Sequence, residues 1–193
     1  MRLFLAYNFD EQIIDIIENS IVFIKDKLKE KSKSDLNFKI NYVRRDSYHI
    51  TIKFFEDQNP DYIIKLLKNS SENFSLNGIF FSLKGLNAFP DKKQPRVLIY
   101  PVFDEKKLIE RNFNIVEEIL FKGGINKESK RFNPHLTIAR IKYCTKTFFN
   151  DFEYWGKYPG IESKELFFNL GKLKLYQSTL TPEGPIYKEL TDI

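Results

Sequence analysis

The sequence predicts an α+β fold built from a duplicated unit, and three observations lead to this. Strand-like and helix-like segments alternate in each half of the 193-residue chain. The two histidines each begin a four-residue His-x-Thr-Ile motif, which we call a histidine word. The two words are His49-Ile50-Thr51-Ile52 and His135-Leu136-Thr137-Ile138, and they lie 135 − 49 = 86 residues apart. No Pro-, Gly- or Ser-rich linker separates the halves, so residues 1–193 are expected to form a single two-lobed domain.

The first half opens with an apolar strand pattern, after which Asp10 caps a long helical pattern. Pro60 suits the first turn of a shorter helix. The isoleucines of the long helix recur at helical spacing, which predicts one face for the core. The expected elements of this half are strand Arg2–Asn8, helix Glu11–Lys31, strands Phe38–Val43 and Tyr48–Phe54, helix Pro60–Leu67, strand Phe74–Leu83, loop Gly85–Gln94 and strand Arg96–Pro101.

The second half repeats the plan with lower fidelity. Apolar residues at helical spacing predict a helix that Gly123-Gly124 ends. The second histidine word lies on the strand that follows. The expected elements are helix Asp104–Lys122, strands Phe132–Ile141, Leu166–Leu170 and Lys172–Tyr176, turn Pro182–Pro185 and strand Ile186–Leu190.

Composition limits the class of protein. The 42% hydrophobic content can bury a core, and the 30% charged content with both signs argues against disorder. The net charge of +5 mildly favours polyanionic partners. Cys144 is the single cysteine, so no intrachain disulfide can form, and we expect a reducing cytoplasm. The charged N-terminus and the absence of a long apolar run indicate neither export nor a membrane span.

Each histidine word places two polar groups on one face of a strand. Alternation puts His49 beside Thr51 and His135 beside Thr137, while the intervening apolar residues face the packing. With a reference pKa near 6.5, one imidazole can accept a proton while the other donates one, and the hydroxyls can hold a phosphate. A single histidine on a strand is more often structural, but the repetition of Thr and Ile after both histidines favours a catalytic role for the pair. Zinc is disfavoured because neither word supplies a second ligand, and no metal or cofactor is expected.

Further short motifs accompany the two words. They are Arg2-Leu3-Phe4-Leu5-Ala6, Gly85, Phe89-Pro90, Arg96-Val97-Leu98, Pro134-His135-Leu136-Thr137-Ile138-Ala139-Arg140, Leu175-Tyr176-Gln177-Ser178 and Gly184-Pro185-Ile186-Tyr187. In this order the set resembles the two-histidine phosphoesterases, and within them the LigT-like RNA 2′,3′-cyclic phosphodiesterases, also called 2′-5′ RNA ligases. The resemblance covers nearly the whole chain.

The resemblance implies two pseudo-symmetric lobes, each an antiparallel sheet with helices on its outer face, around a central groove that carries both words. It implies hydrolysis of a terminal RNA 2′,3′-cyclic phosphate to a 2′-phosphate, with ligation as a reverse-type side reaction. His49 would give a proton to the departing 3′ oxygen and His135 would activate water. Thr51 and Thr137 would hold the phosphate. The chain departs from the family at Ile99 and Tyr42-Val43, where members usually carry tryptophan.

Several cations are secondary candidates for substrate contact. Lys53 is expected on the face of His49, and Arg131, four residues before His135, is expected on the face of that histidine. Arg140 falls on the other face and is expected to be structural. The charged loop of Lys92, Lys93 and Arg96 could grip RNA, and Ser178 could lie near the groove.

Two other functions remain open from sequence alone. The substrate could be a small cyclic nucleotide, an ADP-ribose cyclic phosphate or a 2′-5′ oligonucleotide. A non-catalytic RNA-binding module with the same fold is the alternative from another class, although both intact words argue against it. The protein is expected to act as a monomer.

Overall fold

The computed structural model describes residues 2–32, 38–92, 94–144, 161, 167–181 and 184–193. Three α-helices and ten strands lie within these ranges, together with two short 3₁₀ turns, Arg45–Ser47 and Ser71–Phe74. The elements in chain order are β1 Arg2–Asn8, α1 Glu11–Ser32, β2 Phe38–Tyr42, β3 His49–Glu56, α2 Pro60–Lys68, β4 Phe80–Leu83, β5 Asn87–Phe89, β6 Val97–Phe103, α3 Leu108–Lys122, β7 His135–Cys144, β8 Phe167–Asn169, β9 Lys174–Thr181 and β10 Gly184–Asp192.

The strands form one sheet in the order β10-β9-β1-β3-β7-β6-β4-β8, with β2 beside β7 and β5 beside β6. The named strand pairings are antiparallel. The two histidine strands, β3 and β7, are neighbours at the centre and join through the single pair Ile50–Leu136. The α+β prediction is confirmed. The sheet does not divide along the two halves of the chain, because β9 lies beside β1, whereas β2 and β6 lie beside β7.

The helices bury their apolar stripes against one face of the sheet. In α1, Ile13, Ile17 and Ile24 are almost fully buried and belong to the same cluster as residues of β1, β3 and β7. Among the described residues, the opposite face carries a small buried cluster of Phe4, Ala6 and Tyr176. One face is therefore packed under helices, and the other is left for a site.

Helix boundaries follow the capping chemistry. The Asp10 side chain accepts a hydrogen bond from the amide of Ile13 at 2.9 Å, as the sequence predicts. Asn59 caps α2 in the same way, ahead of Pro60. The α3 helix begins at Leu108, later than Asp104, because Asp104 lies outside the helix and accepts the amide of Ile109. Its end at Gly123 agrees with the sequence.

Three strand predictions need correction. Phe74 lies in a 3₁₀ turn, and the strand after it begins only at Phe80. The predicted loop 85–94 contains the short strand β5, which pairs with β6. The second histidine strand begins at His135, because residues 131–134 form no strand. Leu166, Lys93 and residues 182–183 of the predicted turn lie outside the described residues.

Candidate active site

The register of the central strands brings the two histidine words together. Because Ile50 pairs with Leu136 in antiparallel register, the flanking residues oppose each other: His49 faces Thr137, and Thr51 faces His135. Opposed residues of this kind have Cβ atoms about 4.5–5.5 Å apart. All four side chains are half-buried on the face that lacks helices. The register thus places the two words on neighbouring strands, related by an approximate two-fold axis at the Ile50–Leu136 pair.

Both imidazoles are held in the same way. Nδ1 of His49 lies 2.7 Å from the carbonyl oxygen of Ser47, and Nδ1 of His135 lies 2.7 Å from that of Asn133. A carbonyl can only accept a hydrogen bond, so Nδ1 carries the proton in each ring. Nε2 is then the nitrogen free to exchange a proton, as an acid–base site requires.

Aromatic rings surround both histidines. The His49 ring lies 4.9 Å from Phe4 and 5.3 Å from Tyr187, measured between ring centroids. The His135 ring meets the edge of Phe89 at 4.9 Å. These contacts fix the ring planes and remove water from one side of each imidazole. Phe89 belongs to β5, the strand that sequence reasoning did not predict.

Burial lowers the pKa of both histidines. The pKa of His49 falls to about 4, chiefly through loss of hydration, with smaller contributions from the charges of His135 and Arg140. Burial also lowers the pKa of His135, and Arg140 adds to the effect. Both rings are thus mostly neutral near pH 7 without substrate.

A β-bulge reverses the predicted orientation of Lys53. On β3, Thr51 pairs with Ala6 and Lys53 pairs with Leu5, so Ile52 is an extra residue between them. The alternation shifts by one, and Lys53 turns to the helix-covered face, where it is 6% exposed and pairs with Glu117. The prediction that Lys53 lines the groove is wrong.

A matching bulge on β7 corrects the interpretation of Arg140. Leu98 pairs with Ala139 and Ile99 with Thr137, which leaves Ile138 unpaired. Arg140 therefore turns to the histidine face, where it is exposed and lowers the pKa of both imidazoles. The adjacent buried apolar residues Ile138 and Ala139 break the alternation, and this was the available signal for the bulge.

Because of the two bulges, the equivalent positions that follow the two words both face the site, but one carries an aromatic and the other a cationic side chain. Phe54 and Arg140 each stand five residues after their histidine, since 54 − 49 = 5 and 140 − 135 = 5. Phe54 is 65% exposed and contacts Phe4 at 5.8 Å. Tyr176 and Tyr187 also contact Phe4. We call this set beside His49 the aromatic wall: Phe4, Phe54, Tyr176 and Tyr187. Sequence reasoning did not identify this wall.

The remaining sequence candidates are Arg131, Arg96 and Ser178. Arg131 is exposed in the segment before β7, so strand alternation does not assign its face. Arg96 is exposed, and its carbonyl accepts the amide of Ile141, which places it beside Arg140. Ser178 is half-buried on β9, opposite Arg2 and Tyr187. Arg131 and Ser178 remain predictions.

A cleft of about 480 Å³ lies between the first turn of α1 and the turn before β3, and neither histidine lines it. It is lined by Asn8, which pairs with His49 on the neighbouring strand, and by the turn that holds Arg44, Arg45 and Asp46. Its arginines are paired with carboxylates, Arg44 with Asp46 and Arg45 with Glu11 and Asp15.

Within the described part of the chain, His, Cys, Asp and Glu form no cluster suited to a metal ion. In the same ranges, no helix combines the length and apolarity that a membrane span requires.

Known proteins resemble this chain over most of its length. The family model described as LigT-like phosphoesterase matches residues 25–99 and 102–187. An RNA 2′,3′-cyclic phosphodiesterase of Aquifex aeolicus (strain VF5) is 36% identical over 165 residues, which cover 83% of this chain and 86% of the relative. The protein of the same name from Methanocaldococcus jannaschii is 31% identical over 194 residues, covering 100% and 99%.

Solved structures share the fold. A crystal structure of a Thermus thermophilus protein superposes with a TM-score of 0.64 at 20% identity, covering 99% of this chain and 96% of the other. Escherichia coli LigT in complex with 3′-AMP gives a TM-score of 0.64 at 15% identity, covering 98% and 95%. These likenesses support the fold across nearly the full length of each chain.

Proposed function

Because this chain belongs to the LigT-like phosphoesterase family, we propose that it hydrolyses the terminal 2′,3′-cyclic phosphate of RNA to a 2′-phosphomonoester. The observation that carries the proposal is the pair of matched His–Thr words opposed across Ile50–Leu136. Relatives over most of the chain length bear the name RNA 2′,3′-cyclic phosphodiesterase, which supports the choice of substrate.

The reaction is an in-line displacement at phosphorus, and both imidazoles catalyse it. His135 takes a proton from water at Nε2 while the water oxygen bonds to phosphorus. The bond from phosphorus to the 3′ oxygen breaks, and Nε2 of His49 gives that oxygen its proton. Thr51 and Thr137 donate to the non-bridging oxygens, where charge grows. Solvent then restores the two protonation states.

Arg140 joins the threonines as a phosphate ligand in this proposal. Its guanidinium is exposed on the histidine face and acts on both rings. A forked cation of this kind binds phosphate oxygens through two donors. The anionic phosphate also opposes the effect of Arg140 on the histidines: a negative charge raises their pKa values. His49 would therefore acquire its proton together with the substrate.

The assignment of donor and acceptor follows the family resemblance. Without substrate, the low pKa of His49 favours the acceptor role, so docking of the cyclic phosphate has to set the roles. The decisive experiment is product analysis after incubation with RNA that ends in a 2′,3′-cyclic phosphate, with a chelator present. A 2′-phosphate end is expected. A 3′-phosphate end would mean that the 2′ oxygen is the leaving group. Absence of any product would contradict the proposed function.

A small cyclic nucleotide is the alternative substrate, and the same assay separates the two. The cyclic mononucleotide and a cyclic-phosphate RNA of the same terminal base are compared at equal concentration. Higher kcat/KM on the RNA supports the RNA proposal, whereas higher kcat/KM on the mononucleotide contradicts it. Joining a cyclic-phosphate end to a 5′-hydroxyl end is the reverse-type reaction, which we place second to hydrolysis.

The aromatic wall supplies a surface for a base next to the scissile phosphate. Phe54 offers an open ring, and replacing it with alanine is expected to raise KM for cyclic-phosphate RNA about tenfold, since stacking one base contributes about 1–3 kcal/mol. The expected effect on kcat is small because Phe54 does not contact the imidazoles. Steady-state kinetics would check this.

Phe121→Ala is the matched control for Phe54→Ala. Phe121 is similarly exposed at 54% but lies on α3, on the helix-covered side. The control should keep the KM of the wild type. Equal KM values in both variants would remove Phe54 from the substrate site.

We also propose that residues 1–193 act as one domain, as a monomer, in the cytoplasm. All four groups of the two words come from one chain, so the chemistry needs no second copy. A single half-buried cysteine suits a reducing compartment. Light scattering on the full chain would test the monomer.

A further inference from the structure

We propose that the buried ion pair of Lys53 and Glu117 is a positioning device that sets the second histidine word relative to the first. This inference rests on the proposed function and adds a role for two residues outside the groove. Lys53 lies on β3, two residues after Thr51, and Glu117 lies on α3. Both are nearly fully buried, at 6% and 5% exposure.

The pair gathers three parts of the chain at one point. Lys53 Nζ donates to Oε1 of Glu117 at 2.5 Å and to the carbonyl oxygen of Asn126 at 3.0 Å. The other carboxylate oxygen of Glu117 accepts the amide of Glu128 at 2.6 Å. The first histidine strand is thus tied through α3 to the connection that leads to the second.

Backbone hydrogen bonds hold the two ends of that connection, from Ile125 to Leu120 and from Val102 to Pro134, and side-chain contacts hold the part between them. Residues 125–134 contain no helix or strand. Phe132 stacks on Phe113 of α3 with ring centroids 4.3 Å apart. The next residue, Asn133, supplies the carbonyl that holds Nδ1 of His135. A displacement at Asn126 and Glu128 would therefore pass along the connection to the carbonyl that orients the second imidazole.

Stability alone does not account for a charged pair at this place. Two charges in the core lose hydration, and an apolar pair of similar volume is often as stable or more stable. An apolar pair cannot bind the carbonyl of Asn126 and the amide of Glu128, however. What the ions add is a directional link between β3 and the connection.

The double variant Lys53→Met/Glu117→Leu tests this link, because it keeps the bulk of both side chains. Its kcat for cyclic-phosphate RNA is expected to fall about 10²-fold with little change in KM, since a displacement near 1 Å at a catalytic group has an effect of this size. The ¹⁵N signals of the His135 ring should shift more than those of His49, because only His135 follows the released connection.

The control removes a neighbouring pair of the same residue types. Lys127 and Glu118 pair on the surface beside the buried pair, with both side chains exposed. Lys127→Met/Glu118→Leu should keep the wild-type kcat and the wild-type histidine signals. If the buried double variant fails to fold, Glu117→Gln gives the answer: it keeps the size of the side chain but loses one of two acceptors, and should lower kcat in the same direction.

Three results would overturn the inference: wild-type kcat in a folded double variant, an effect on KM alone, or a fall in kcat with unchanged His135 signals. Failure of the proposed function looks different, because the wild-type chain would then lack turnover. The histidine signals test the positioning role even in that case.

Discussion

Replacing either histidine with asparagine is expected to lower kcat for cyclic-phosphate RNA by at least about 10²-fold, the usual contribution of a general acid or base. Asparagine keeps a donor for the carbonyl of Ser47 or Asn133, so the local fold should persist. Nε2 is lost in each variant, and with it the proton exchange. Rates under saturating substrate measure the effect, and thermal melting checks the fold.

The pH profile of these variants separates the roles. A general acid must be protonated, so its titration produces the alkaline limb, and a general base produces the acid limb. Residual activity of the His49→Asn variant should lack the alkaline limb, and that of His135→Asn should lack the acid limb. If His49→Asn instead lacks the acid limb and His135→Asn lacks the alkaline limb, His49 is the general base and His135 the general acid. Full activity in either variant would eliminate the mechanism.

Replacing Arg140 with methionine is expected to lower kcat/KM about 10²-fold, the usual effect of removing one donor to developing negative charge. It should also move both limbs of the kcat/KM profile to higher pH. Burial lowers the pKa of both histidines first, and the positive charge of Arg140 lowers them further. Without that charge each pKa rises, so the singly protonated pair persists to higher pH.

Arg140→Lys is the matched control for the charge. It keeps the positive charge but loses the planar fork, so activity should fall while both limbs stay at the wild-type pH. The same pH displacement in both variants would contradict an electrostatic origin. An unchanged profile and rate in Arg140→Met would place Arg140 outside the site.

Sequence reasoning was most successful where a periodic pattern and a buried face agree. The isoleucines of α1 and the Asp10 cap predict that helix nearly to its ends. The two histidine words predict neighbouring strands because their repetition is itself a structural signal.

The residues around the two words were harder to predict from the sequence. Alternation assigns faces only while a strand keeps its register, and the extra residues Ile52 and Ile138 reverse it. Lys53 and Arg140 therefore exchanged their expected faces. The aromatic wall draws on β1, β3, β9 and β10, elements far apart in the chain, so its assembly depends on the order of the sheet. No local pattern carries that order.

The half-turn that relates the two words bears on regioselectivity. A cyclic phosphate rotated by the same half-turn would meet the same imidazoles and hydroxyls in exchanged order. The side chains of the two words by themselves therefore set no preference between the two ester bonds of the ring. That choice would fall to the residues that break the symmetry, Phe54 on one side and Arg140 on the other. A protein of this design could change its leaving oxygen without changing either histidine.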